Sequence, residues 1–260
     1  MSEKKFIVIA GPCVVESKEL LDETASKLKS ICAQQNVEFI FKSSYKKANR
    51  SSVGSFTGIG DDLALQYLSQ IRDEFKISVL TDVHSASEAE KATQYVDVLQ
   101  IPAFLSRQTE ILQAAARTGK IINVKKGQFM APDDMAKVID KILATGNNKI
   151  MLTERGTFFG YHDLTVDFRS ILIMRKFGFP VIFDATHSLQ QPSSGKESGG
   201  KPEFVPALAR AAAAVGIDGI FFETHPEPDK ALSDSATQLP LSMAGEFLTD
   251  ILKINDCLKK

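Results

Sequence analysis

The 260-residue chain predicts an α/β fold, a single (β/α)8 barrel (a TIM barrel) spanning residues 1–260, and three observations point to it. Short β-branched or aromatic runs alternate with longer amphipathic segments from one end to the other, about eight βα units in roughly 250 residues. Nearly every strand candidate is apolar at its start and ends on a polar or reactive side chain: Cys13, Lys42, Asp82, Gln100, Lys125, Arg155, His187 and Glu223. A barrel gathers those ends at one face, whereas a doubly wound open sheet, the competing architecture, spreads them along an edge. Finally, no composition shift marks a domain boundary.

In chain order, the strand candidates are residues 6–13, 37–44, 78–84, 96–103, 121–127, 149–155, 181–187 and 219–225. Helical patterns occupy 18–35, 61–75, 85–94, 107–118, 133–144, 166–177, 204–215 and 241–258. Ser85 and Glu88 have the spacing of a capping box, and Gly119, Gly146, Gly178 and Gly216 sit where helices should stop. Three polar connections exceed simple turns: 45–60, 189–203 and 221–234. All follow strands and so hang over one face; the Ser and Gly content of the second suggests a mobile lid.

Composition sets further bounds. The chain is 43% hydrophobic and 24% charged, with a net charge of −1 and both signs interspersed, so neither nucleic acid nor a membrane surface is expected as partner. Cys13, Cys32 and Cys257 are too few and scattered for a disulfide framework, and no export signal or bilayer-length apolar run is evident. A cytoplasmic protein with reduced thiols is expected. Thr57-Gly58-Ile59-Gly60 resembles a dinucleotide loop, but Leu63 stands where the third glycine belongs. GxxxxGK[ST], GxSxG and HExxH patterns are absent, and no organic cofactor is expected.

The stretch from Phe221 to Asp234 ends an apolar strand abruptly and offers five acid/base or ligand groups: Glu223, His225, Glu227, Asp229 and Asp234. Barrel closure makes the eighth strand a neighbour of both the seventh and the first, setting Glu223 beside His187 and Cys13. By alternation Cys13 shares a face with Ile9 and Gly11, His187 with Phe183 and Ala185, and Glu223 with Gly219 and Phe221. If those partners fill the barrel, all three side chains point inward, and Asp234 could fold back as a fourth. Such a mixed S/N/O set suits one divalent ion of the Zn, Fe, Mn or Co class, not Mg²⁺ or Ca²⁺. A lone cysteine is more often a small buried hydrophobe, so this reading rests on the convergence. His225 stays open as ligand, partner or loop residue, while His84 and His162 have no evident partner.

The far side is basic: Lys42, Lys125, Lys126 and Arg155 close strands, with Lys47, Arg50 and Arg107 in or beside loops. A cation aimed into a barrel mouth needs a counter-charge, usually phosphate or carboxylate. Lys125 alternates with Asn123 and should point inward; Lys126 should point outward as a solvated or structural lysine. The cations suffice for two anionic groups.

Ile9-Ala10-Gly11-Pro12-Cys13, Phe41-Lys42-Ser43-Ser44, Lys47-Ala48-Asn49-Arg50-Ser51-Ser52, Gln100-Ile101-Pro102-Ala103-Phe104, Asn123-Val124-Lys125-Lys126-Gly127-Gln128-Phe129, Leu152-Thr153-Glu154-Arg155-Gly156, Asp184-Ala185-Thr186-His187-Ser188 and the 221–234 stretch resemble the 3-deoxy-D-manno-octulosonate 8-phosphate synthase family. The resemblance implies a barrel, usually a homotetramer, that condenses phosphoenolpyruvate with D-arabinose 5-phosphate for lipopolysaccharide biosynthesis. It implies metal ligands Cys13, His187, Glu223 and Asp234, since metal-requiring members carry Cys where metal-independent ones carry Asn. It further implies Lys125 and Arg155 on the phosphoenolpyruvate phosphate, Lys42, Lys47, Asp82 and Gln100 lining the site, Asn49, Arg50 and Ser51 on the sugar phosphate, and Arg107 completing a neighbouring subunit's site. His187 and Asp234 are candidates to orient water or shuttle its proton, leaving Glu227 and Asp229 as loop residues. Related heptulosonate synthases, which use erythrose 4-phosphate, typically carry Lys-Pro-Arg-Thr where this chain has Lys-Ala-Asn-Arg-Ser-Ser. A Schiff-base aldolase using Lys125 or Lys42, and a non-catalytic metal-binding barrel, are the other readings.

Overall fold

The computed structural model describes residues 5–49, 54–191 and 199–258. Arg50 and Ser51, expected at the site, lie outside them, as do residues 192–198 of the expected lid. Eight parallel strands form the barrel: β1 (Ile7–Gly11), β2 (Glu38–Lys42), β3 (Ser78–Asp82), β4 (Val98–Ile101), β5 (Ile121–Lys125), β6 (Ile150–Glu154), β7 (Val181–Asp184) and β8 (Gly219–His225). Each strand pairs with the next, and β8 returns to β1 in the register Ile7↔Gly219 to Gly11↔Glu223. Closure leaves the barrel no open edge, which excludes the open sheet.

The helices are α1 (Lys18–Gln34), α2 (Asp61–Phe75), α3 (Ala86–Ala92), α4 (Thr109–Arg117), α5 (Met135–Leu143), α6 (Arg169–Arg175), α7 (Val205–Val215) and α8 (Ala244–Cys257). Local chemistry sets several ends. The Ser17 hydroxyl accepts from Leu20 N at 3.2 Å and caps α1. Ser85 likewise accepts from Glu88 N at 3.2 Å, but the Glu88 carboxylate accepts from His84 N at 2.8 Å, so the expected capping box forms only by half. Helix α7 stops at Gly216, whose φ of 98° suits a residue without Cβ.

Side-chain alternation sorts the apolar residues into two cores. Ile7, Ile9, Ile40, Leu80, Val98, Met151, Ile182 and Phe221 fill the barrel, while Val8, Phe41, Val79, Leu99, Ile122, Leu152, Ile220 and Phe222 face the helices. Towards the C-terminal end, the next inward position on each strand from β2 to β8 is polar. Lys42 follows Ile40, Asp82 follows Leu80, Gln100 follows Val98, Asn123 and Lys125 follow Ile121, Thr153 follows Met151, Asp184 follows Ile182, and Glu223 follows Phe221. A polar layer thus caps the apolar one at the face where barrel enzymes build their sites.

Two expectations need correction. Phe183 and Ala185 belong to the helix-facing core, so alternation does not carry His187 inward; β7 ends at Asp184, and His187 opens a 3₁₀ turn beyond it. Strand β1 ends at Gly11, two residues before Cys13, although Ser44 N still donates to Cys13 O at 3.2 Å. Gly11 is required there, since a Cβ would sit 2.1 Å from the Lys42 carbonyl oxygen. A hairpin, Thr157–Gly160 with Asp163–Thr165, follows β6 without having been expected.

Candidate active site

The strand ends surround a cleft of about 480 Å³ lined by Lys42, Lys47, Asn49, Asp82, His84, Gln100, Lys125, Arg155, His187, Gln190, Ser233 and Asp234, among others. Lys125 Nζ lies 4.0 Å and Lys42 Nζ 5.5 Å from the centroid of the buried Phe221 ring. Each ammonium has a buried carboxylate partner. Lys42 donates to Glu223 Oε1 and, at 3.1 Å, to the Cys13 carbonyl; Lys47 lies 3.9 Å from the same Glu223 oxygen. Lys125 donates to Asp184 Oδ2 at 2.7 Å. Burial opposes ionisation of Glu223, but Lys42, His187, Lys47 and Lys125 outweigh it and hold the carboxyl well below its ordinary range. Asp184 is driven the same way against its burial by His187 and Lys125.

Arg155 donates through Nη2 to Gln190 Oε1 at 3.0 Å, while its buried Nη1 has no hydrogen-bond partner. Gln100 donates to Asn123 Oδ1 at 2.7 Å, and Asn123 to Thr153 Oγ1 at 2.8 Å, which fixes the amides across β4, β5 and β6. A buried guanidinium nitrogen without a partner, in a cleft that Lys42 and Lys125 also line, suits an anionic group.

Next to Lys42 and Lys47, ligand atoms of Cys13, Glu223 and Asp234 all lie within 4.8 Å of one another. The Cys13 thiol is 3.3 Å from Asp234 Oδ2 and 2.9 Å from Ser233 Oγ. Burial pushes its pKa up, Asp234 and Glu223 push it further, and Lys47 and Lys42 oppose them only in part. A cation would favour the thiolate instead, and the fully buried Glu223 Oε2 has no hydrogen-bond partner. A thiol and two carboxylates, one with an unused buried oxygen, fit a borderline divalent ion.

His187 stands next to this set, not within it: its Nε2 is 3.6 Å from Glu223 Oε1. Its backbone amide donates to Asp184 Oδ1 at 2.9 Å, and its Nδ1 lies 2.9 Å from Oδ2, which assigns the proton to Nδ1 and turns the lone pair of Nε2 towards Glu223. Burial also pushes its pKa down, against the pull of Asp184. Asp234 reaches the site from a left-handed backbone, φ 47°, that an aspartate tolerates.

Other groups emerged only in three dimensions. Asp184 orders both Lys125 and His187; alternation from Ile182 would have found it had β7 been ended three residues earlier. His84 lines the cleft and bridges Asp82, 3.2 Å from Nε2, to Glu88, 3.0 Å from Nδ1. Burial lowers its pKa, but Asp82 and Glu88 raise it overall. Lys126 does point outward but is fully buried, 3.6 Å from Glu154, and is not solvated. His225 lies outside the ligand set; its Nδ1 accepts from Glu227 N at 3.0 Å. Glu227 and Asp229 are exposed loop residues, Glu227 pairing with Lys230 at 2.6 Å. Arg107 is exposed and does not line this chain's own cleft. Among the described residues, no helix is long and apolar enough to cross a membrane.

Residues 2–259 match the DAHP synthetase I family. The 2-dehydro-3-deoxyphosphooctonate aldolase of Koribacter versatilis (strain Ellin345) is 50% identical over 258 residues, covering 98% of this chain and 92% of the relative. The aldolase of the same name from Trichlorobacter lovleyi is 53% identical over 238 residues, 91% of this chain and 88% of the relative. That from Legionella pneumophila (strain Corby) is 50% identical over 259 residues, with 99% and 94% covered. With likeness of that degree along nearly its whole length, this chain belongs to the DAHP synthetase I family.

Proposed function

We propose that this chain is a transferase that condenses phosphoenolpyruvate with D-arabinose 5-phosphate and water, yielding 3-deoxy-D-manno-octulosonate 8-phosphate and inorganic phosphate for lipopolysaccharide biosynthesis. The observation that carries the reading is one cleft lined by Lys42, Lys125, Arg155 and Asp234, with the buried ligand atoms of Cys13 and Glu223 within 4.8 Å of that of Asp234. The names of relatives at about half identity support it. Condensation with erythrose 4-phosphate remains the family-level alternative, and Lys-Ala-Asn-Arg-Ser-Ser at 47–52 favours the five-carbon sugar.

In this reading Lys125 and Arg155 hold the phosphate of phosphoenolpyruvate, with Lys42 and Lys47 beside its carboxylate. Asn49, Arg50 and Ser51 take the sugar phosphate, and Asp82 and Gln100 line the space between. Fixed cations hold two mutually repelling anions in reacting distance, which is catalysis by proximity and preorganised charge. C3 of phosphoenolpyruvate forms the new bond to the aldehyde carbon, whose oxygen takes a proton. Water adds at C2 and gives up a proton, which Asp234 accepts, while His187 helps to orient the water. The resulting hemiketal expels phosphate by C–O cleavage.

Cys13, Glu223 and Asp234, with His187 as nitrogen donor, would hold one divalent ion of the Zn, Fe, Mn or Co class. Such an ion supplies Lewis acidity for orienting the aldehyde or acidifying a water. The Asp184 bond to Nδ1 is the outer contact that ligating histidines usually have. No organic cofactor is assigned. We assign the chain to the cytoplasm as a homotetramer, with exposed Arg107 reaching a neighbouring subunit's cleft. Incubation with phosphoenolpyruvate and arabinose 5-phosphate, followed by mass analysis, tests the reaction: the eight-carbon phosphorylated keto acid is expected, and recovery of both substrates unchanged would overturn it.

A further inference from the structure

Lys125 and Arg155 are each followed or preceded in the chain by a second charged residue that does not reach the cleft. Lys126 comes directly after β5, and Glu154 is the last residue of β6. Alternation turns both out of the barrel into the layer beneath the helices, where Lys126 is fully buried and Glu154 is 1% exposed. Their charged atoms lie 3.6 Å apart.

Each charge is engaged on several sides. Lys126 Nζ donates to Thr157 Oγ1 at 3.0 Å and to the carbonyls of Gly127 and Met130, both at 3.4 Å. Glu154 accepts from Gly156 N at 2.7 Å and from the Ser170 hydroxyl at 2.5 Å. The pair thus ties together the loop after β5, the turn after β6 and the start of α6. Lys126 N also donates to Thr153 O at 2.8 Å, locking the two strand ends to each other.

For stability alone, a well-packed apolar pair serves as well as a buried ion pair, because desolvation cancels most of the attraction. What charge adds is direction. Lys126 donates to the backbone at Gly127 and Met130 and Glu154 accepts from it at Gly156, and the backbone so held presents Lys125 and Arg155 to the cleft.

We propose that Lys126 and Glu154 are positioning residues: buried behind the barrel wall, they set the spacing of Lys125 and Arg155 across β5 and β6 so that the two act as one phosphate grip. The proposal rests on the reading of Lys125 and Arg155 as phosphoenolpyruvate ligands.

The test compares Lys126→Met and Glu154→Gln with Thr157→Val and Ser170→Ala, which remove one hydrogen bond from each partner and leave both charges in place. KM is measured for each substrate separately, and inorganic phosphate binding is measured by calorimetry. A misplaced grip should lower kcat/KM for phosphoenolpyruvate on the order of 10²-fold in the charge variants. The hydroxyl variants should fall less, in the same direction. Phosphate affinity should fall in parallel, while KM for the sugar phosphate stays within about 2-fold. Folded variants with wild-type KM for phosphoenolpyruvate and wild-type phosphate affinity would overturn the proposal, as would equal rises in both KM values. Should the charge variants not fold, the hydroxyl variants decide. Should the wild type not consume phosphoenolpyruvate, the functional reading has failed, and phosphate calorimetry still judges the grip.

Discussion

Asp184→Asn preserves the outline of a fully buried side chain and deletes its charge. The carboxylate it replaces accepts from Lys125 at 2.7 Å, from the His187 amide at 2.9 Å and from the Thr186 hydroxyl at 3.2 Å, and it meets His187 Nδ1 at 2.9 Å. Without it, Lys125 sits in the barrel mouth with its nearest counter-charge gone. Breaking one partner of a buried pair costs about 3–5 kcal/mol. At roughly 2–4 °C per kcal/mol for a chain of this order, the melting midpoint should fall by roughly 6–20 °C. The variant should also bind Zn²⁺ or Mn²⁺ about 10–100-fold more weakly, because His187 loses the contact that orients it. Thermal unfolding with and without inorganic phosphate, together with metal titration, measures both effects. Phosphate returns negative charge to Lys125 and should stabilise the variant more than the wild type. A variant that melts within about 2 °C of wild type, less than about 1 kcal/mol, and binds metal normally would refute this account of Asp184.

Arg155→Ala should raise KM for phosphoenolpyruvate by roughly 10- to 150-fold, the worth of a charge-assisted hydrogen bond, with a much smaller effect on the sugar phosphate; equal effects would show the anion sites are misassigned. Cys13→Ala should abolish both retained metal and metal-supported activity, and a variant that keeps its metal content would remove Cys13 from the ligand set. Stability should fall in acid. Burial works against ionised Glu88, yet Lys46, Tyr45 and His84 lower its pKa to about 2, and Asp82, Asp184 and Glu223 are displaced in the same direction. Because the unfolded chain takes up protons first, this stability is present above about pH 4 and lost as pH falls towards about 2. Denaturant midpoints at pH 6, 4 and 3 check it, and equal midpoints would contradict it.

The barrel was legible because apolar runs that end on polar residues have one economical arrangement. Glu223 and Lys125 followed from the same alternation, Glu223 two residues beyond Phe221 and Lys125 two beyond Asn123. His187 was placed at the site by a faulty route: alternation was extended past the true end of β7, and the turn that follows happens to return the ring to the cleft. That same overextension hid Asp184. Lys126 stayed open between a solvated and a structural role because its partner, Glu154, lies on the outer face of the adjacent strand, and pairing across strands depends on register that spacing alone does not supply. His84 had no visible partner for a similar reason, since Asp82 and Glu88 approach it only once the chain turns into α3. The hairpin after β6 escaped because Phe158, Phe159 and Tyr161 are exposed, so no apolar alternation announces it.

The central claim, a metal-supported condensation of phosphoenolpyruvate with a five-carbon sugar phosphate, is tested most directly by phosphate release. The protein is given phosphoenolpyruvate with arabinose 5-phosphate or erythrose 4-phosphate, before and after chelation. Release with arabinose 5-phosphate that stops on chelation and returns with added divalent metal is predicted. Preference for erythrose 4-phosphate would contradict the sugar assignment, and full activity in metal-free protein would contradict the role given to Cys13, Glu223 and Asp234.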